Sequence, residues 1–193
     1  MSEQLTFDFA MGVIIGIAEF GLAFALLKAA RFSEAQAVLQ PLIDKTPYSI
    51  PYIYTQADIY TSMNNPKAAI LLLAPQLRIN TNNDALIRAN IDALMKDKQY
   101  KLAEKTINTH ITVHEEDPWL WKRLTDVYQL TGKLTELHIA KAEVLYLYAH
   151  YEPALKELNY ALESSKNNYV LTSIIKEKEK QVLNAQEFQR NPS

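Results

Sequence analysis

An all-α fold of stacked antiparallel helix pairs is predicted by three observations. Small residues recur at an interval of 34, turn residues fall between the recurring segments, and 48% of the chain is apolar with only 4 Gly. That composition excludes a disordered or fibrous chain. At 193 residues, against about 150 per domain, we expect a single repeat domain over 1–193. Regular repeats are expected over about 16–133, an irregular repeat with a shared helix over 134–165, and a capping helix over 168–188.

The first element is the apolar run Ala10 to Leu27, 18 residues broken by Glu19. It is near the minimum length for a membrane span, and Gly12 and Gly16 match the spacing of membrane helix dimers. The charge at its middle argues against a span. Glu3 and Asp8 precede it with no Lys or Arg, whereas a signal peptide needs a positive n-region. We read it as a buried first helix, with no transmembrane segment favoured and any leader lying outside this chain.

The next elements follow from the repeat. Steps of 34 carry Ala23 to Ala57, Ala35 to Ala69 to Ala103, and Tyr60 to Leu94 to Tyr128. Tyr128 closes the series Trp121, Leu124, Tyr128, Gly132, which is the pattern of the tetratricopeptide repeat. Its physical sense is a helix pair in which a small residue on each helix lets the backbones approach. Ala23 and Ala57 fall on first helices, and Ala35, Ala69 and Ala103 on second ones. No repeat can bury its face alone, so pairs stack into a solenoid. Lys45-Thr46-Pro47 and Asn64-Asn65-Pro66 break helices where the repeat requires turns. Pro118, after Glu115-Glu116-Asp117, opens another helix.

The register then changes. A fourth alanine is due at position 137, which is Leu137, and Ala154 arrives 17 residues later, half a repeat. The helix from about Leu134 to Tyr148 therefore closes one pair and opens the next, a half-register bend near 134–150. Tyr169 to Phe188 reads as one amphipathic helix with Leu171, Ile174, Ile175, Lys178 and Val182 at helical spacing. Its charged run from Lys176 to Lys180 reads as the solvated outer face of a cap.

Chemistry is sparse. Lys and Arg total 20 against 22 Asp and Glu, which gives no electrostatic case for nucleic acid. The absence of cysteine removes disulfides, thiolate metal sites and cysteine nucleophiles and leaves the redox compartment open. His110 and His114 stand four apart, but no third ligand is evident in the sequence and a surface pair is the better reading. No phosphate loop or nucleophile elbow occurs, so no catalytic residue, metal or cofactor is expected. His138 and Glu143 are expected to have separate partners. Tyr146, Tyr148, Tyr151 and Tyr160 read as interhelix packing, with a peptide pocket as the alternative.

The candidate binding groove comes from the register. In this repeat class first helices line the concave surface. One inward position gives Tyr54, Arg88 and Lys122, and the position four residues on gives Asp58, Asp92 and Asp126. Two readings stand: a solvated wall, or a mixed-charge track for a partner segment, with Arg88–Asp92 and Lys122–Asp126 as i,i+4 pairs. Aspartates there disfavour capture of a free C-terminal carboxylate.

Leu39-Gln40-Pro41-Leu42, Pro47, Tyr60, Asp117-Pro118-Trp119 and Gly132, with His138-Ile139-Ala140-Lys141-Ala142-Glu143 and the stretch Tyr151 to Leu158, resemble the C-terminal repeat region of the β-barrel assembly-enhancing proteases, periplasmic zinc metallopeptidases. The resemblance covers roughly residues 20–185, and the half-register step together with the His138 to Glu143 stretch before it is what points to this family. The zinc motif His-Glu-x-x-His is nowhere in the chain. The resemblance implies a non-catalytic repeat module, a periplasmic location, and partners among outer-membrane barrel assembly components and unfolded clients. Zinc would belong only to a separate protease domain. The alternative is a membrane-tethered or cytosolic adaptor unrelated to proteolysis, with Ala10–Leu27 as its anchor.

Overall fold

The computed structural model describes residues 2–165 and 168–190, with side chains from residue 11 onward. The charges of Glu3 and Asp8 thus lie outside the described side chains. Among the described residues the secondary structure is ten α-helices and no strand. They are α1 (Ser2–Lys28), α2 (Phe32–Lys45), α3 (Ile50–Ser62), α4 (Pro66–Ile79), α5 (Asp84–Lys96), α6 (Tyr100–Ile111), α7 (Pro118–Thr131), α8 (Leu134–Leu147), α9 (Tyr151–Ser164) and α10 (Tyr169–Arg190). The chain falls into two compact units, Met1–Gln99 and Tyr100–Ser193.

The turns explain the helix boundaries. Within each pair the first helix ends in a left-handed residue: Ala30, Asn64, Lys98, Gly132 and Ala149, with φ of 58°, 60°, 60°, 72° and 57°. The N–H of the following residue donates back across the turn. Arg31 donates to Leu26 O (2.9 Å), Asn65 to Tyr60 O (2.8 Å), Gln99 to Leu94 O (2.9 Å), Lys133 to Tyr128 O (3.0 Å) and His150 to Leu145 O (2.8 Å). These are Schellman closures, which satisfy carbonyls that a helix end would otherwise strand. They recur at 34, 34, 34 and then 17, so the half-register step is written in the backbone. Starting caps are side chains: Asn83 accepts from Leu86 N–H (3.1 Å) and Asp117 from Trp119 N–H (2.9 Å). Pro51, Pro66 and Pro118 sit in first turns, where a missing N–H costs nothing.

In the first unit, Ala23, Leu26 and Leu27 of α1 pack with Ala35, Leu39 and Leu42 of α2. A second cluster joins Ile53 and Ala57 of α3, Ala69 and Leu73 of α4, and Leu86, Ala89 and Ala93 of α5. The alanines read from the sequence are closed contacts: Ala23, Ala35, Ala69 and Ala103 have no exposed surface. In the second unit Ile139 and Ala142 of α8 meet Ala154, Leu158 and Ala161 of α9 and Ile175 and Val182 of α10. Helix α8 packs against both α7 and α9. Its buried Leu137, Ile139, Ala140 and Ala142 accordingly spread around the helix instead of forming one stripe.

Two expectations need correction. Among the described side chains of α1, burial is confined to the C-terminal end, at Ala23, Leu26 and Leu27. Val13, Ile14, Ile15 and Ile17 are 46%, 59%, 49% and 67% exposed. The cause is length: α1 has 27 residues and α2 has 14. At about 1.5 Å per residue its hairpin partner runs out roughly 20 Å before α1 does. The window Met11–Lys28 is long and apolar enough to cross a membrane, with mean hydropathy 1.9. The second correction concerns α10. Its charged run does not all face solvent: Lys178 turns inward, donating to the buried Glu143 carboxylate of α8 and lying 5.4 Å from the Trp121 ring of α7.

Candidate functional site

In the first unit the register positions converge. Tyr54 and Asp58 sit one turn apart on α3, and Arg88 and Asp92 one turn apart on α5, all half-buried. Burial pushes the Tyr54 phenol above its ordinary 10.0; the Asp58 and Asp92 carboxylates push it further, and Arg88 opposes them. The Asp58, Asp92 and Arg88 charges therefore lie close enough to Tyr54 to act on its phenol. Lys28 of α1 adds to them, its ammonium 3.8 Å from Asp58. Sequence reasoning missed Lys28. It lies four residues past Phe24, the α1 counterpart of Asp58, and the register could have found it.

In the second unit the arrangement differs from the expected pairing. Asp126 accepts from Arg123 at 3.2 Å, three residues back, and not from Lys122. Lys122 is drawn away by Tyr148: its ammonium lies 5.0 Å over that ring and donates to the hydroxyl at 3.3 Å. Arg123 also stacks on Trp119 at 5.1 Å. Trp119, Lys122, Arg123 and Asp126 line a cavity of about 590 Å³ between α7, α8 and α9, which Lys141, Val144, Leu145 and Glu157 complete. Reading first helices alone could not find Lys141 or Glu157, because α8 and α9 enter this wall only through the half-register step. The same step carries the acidic position from Asp126 to Glu143, 17 residues on, where Lys178 meets it.

The remaining candidates have structural partners. His138 Nδ1 bonds Glu157 Oε2 at 2.7 Å while Glu143 pairs with Lys178, so the two have separate partners as expected. Tyr146 and Tyr151 pack with ring centroids 6.1 Å apart, and Tyr160 lies against His138 at 5.4 Å. Tyr148 is 50% exposed and lies under the Lys122 ammonium. His110 lies in the last turn of α6 and His114 beyond the helix, with ring centroids 5.9 Å apart.

Helix pairs, alanine contacts and the 34-residue turn series define the class: a tetratricopeptide-repeat fold. Solved structures agree. MamA from Desulfovibrio magneticus superposes with a TM-score of 0.62 at 14% identity, over 91% of this chain and 97% of that one. A tetratricopeptide repeat protein from Parabacteroides merdae gives 0.56 at 17%, over 86% and 70%. A thermophilic protein of the same repeat class from Thermus thermophilus gives 0.55 at 14%, over 84% and 98%. No family model matches the chain. The β-barrel assembly-enhancing protease of Yersinia pestis is 28% identical over 131 residues, 67% of this chain. The resemblance drawn from the residues holds in that relative, of whose length the chain covers 27%.

Proposed function

We propose that this chain is a non-catalytic protein-interaction module that binds segments of partner proteins along its first-helix face. The observation that carries this reading is that Tyr54, Asp58, Arg88 and Asp92 are all half-buried on α3 and α5, with the three charges near enough to act on the Tyr54 phenol. Groups placed this way set register and specificity for a partner more than they stabilise the fold. The missing His-Glu-x-x-His motif supports a module without peptidase chemistry. The relative's name, a protease that enhances β-barrel assembly, supports a role beside a protease in that assembly, and we extend it to coupling a periplasmic metallopeptidase or chaperone to the assembly and quality control of outer-membrane barrels. The test is a titration of the purified chain against reconstituted barrel-assembly machinery and an unfolded barrel protein, with casein as a peptidase substrate. Saturable binding without casein cleavage is expected. Chelator-sensitive cleavage would overturn the non-catalytic reading.

A second reading is favoured by α1, whose apolar Met11–Lys28 window is only 11% buried. In it the chain is an adaptor tethered to a membrane through that helix. Sedimentation of the chain with lipid vesicles, and release by detergent alone, is the outcome it requires; recovery in the supernatant would exclude it.

A further inference from the structure

Resting on the interaction-module reading, we infer that the cavity between α7, α8 and α9 is a subsite for an acidic side chain flanked by an aliphatic residue in a partner segment. The argument is one of charge balance. The wall carries three basic side chains, Lys122, Arg123 and Lys141, against two acids: Asp126, which accepts from Arg123 at 3.2 Å, and Glu157, which bonds His138 at 2.7 Å. Two ammonium groups at this wall pair with no acid among the described residues. Lys122 is exposed and meets the neutral Tyr148. Lys141 is half-buried and has no hydrogen-bond or ion-pair partner among the described residues. For the half-buried Lys141, partial desolvation without a counter-charge is costly, and a carboxylate entering the same space removes that cost through a charge-assisted hydrogen bond that the exposed Lys122 can share.

The apolar part of the ligand follows from the rest of the wall. Val144 and Leu145 present aliphatic surface beside Lys141, and Trp119, held by Arg123, adds a ring edge. At about 590 Å³ the cavity admits two or three side chains, within the usual range of binding sites. An acidic residue beside a leucine, isoleucine or valine therefore satisfies both halves. A basic segment would meet Lys122 and Lys141 with like charge, and a purely apolar one would bury their ammonium groups unpaired.

The experiment uses the full chain labelled with ¹⁵N and three pools of decapeptides, acetylated and amidated so that every carboxylate is a side chain. The pools combine leucine with glutamate, with glutamine, or with lysine. The glutamate pool should shift the Trp119 indole signal with half-saturation at least tenfold below that of the glutamine pool. Lys122→Glu together with Lys141→Glu should weaken it by tenfold or more; Lys141→Gln alone, which keeps the stem, should weaken it several-fold and serves if the double variant fails to fold. Equal or tighter binding of the lysine pool at Trp119, or variants within twofold of the parent, overturns the inference. If peptides shift only signals around Tyr54, the acidic subsite falls and the module reading stands. If no pool shifts any signal, the module reading falls with it.

Discussion

Left-handed backbone at Ala30, Asn64, Lys98 and Ala149 shows the repeat asking for glycine where the sequence supplies it only at Gly132. A side chain at such a φ costs about 1–2 kcal/mol. A Cβ at Gly132 would meet no atom within 4 Å, so the penalty there is purely one of backbone angle. Ala30→Gly and Ala149→Gly should each raise stability by about 0.5–1 kcal/mol, and Gly132→Ala should lower it by about 1 kcal/mol, read from thermal melts. In the sequence Gly132 and Asn64, within Asn64-Asn65-Pro66, signal such turns; stepping back from Gly132 by 34 gives the other regular positions, but Lys98 and Ala30 do not announce them. Two tyrosines give a second test. Burial raises the phenols of Tyr54 and Tyr128 above 10.0. The unfolded chain then ionises these groups first, so the stability tied to their protonated forms is full below pH 10 and falls as pH rises through the folded values. Tyr54→Phe and Tyr128→Phe should each flatten the stability loss above pH 10 and remove a late component from the absorbance titration of the tyrosines.

Helices are held in pairs by alanines whose place the periodicity revealed. Ala69 and Ala103 are wholly buried, so Ala69→Leu or Ala103→Leu should cost about 1–3 kcal/mol by overpacking. Ala185→Leu, on the half-buried flank of α10, should cost several times less; equal melting temperatures would contradict the assigned register. The role of Lys178 was less legible, because a lysine in a run of five charges looks solvated in one dimension. Only a third helix in place shows it reaching Glu143 and Trp121. Lys178→Met alone should destabilise the chain by about 3 kcal/mol by stranding a buried carboxylate. Lys178→Met combined with Glu143→Leu should recover most of that loss, as chemical denaturation would report. The exposure of α1 was illegible for a related reason: hydropathy gives the length of an apolar helix but not the length of its partner.

For the whole molecule, the balance of 20 basic and 22 acidic residues says little about partners, while their placement on named helix faces says more. The repeat class, the turn spacing and the aspartate positions were all readable from a period of 34. The pairing of Asp126 with Arg123 and the cavity beneath Lys141 were not, because side-chain rotamers and the surface that α8 and α9 share lie beyond any single-helix pattern. The central claim is that first-helix residues contact the partner. Replacing Asp58, Asp92 and Asp126 together by asparagine should leave the fold intact, since such charges contribute little to stability, and should change affinity for a bound partner protein together with its salt dependence. The control is Glu177 and Glu187, both exposed on α10, changed to glutamine. Calorimetric titration against barrel-assembly machinery should show the aspartate triple altered fivefold or more and the control unchanged; a normal triple beside a failing control would move recognition from the first helices to α10.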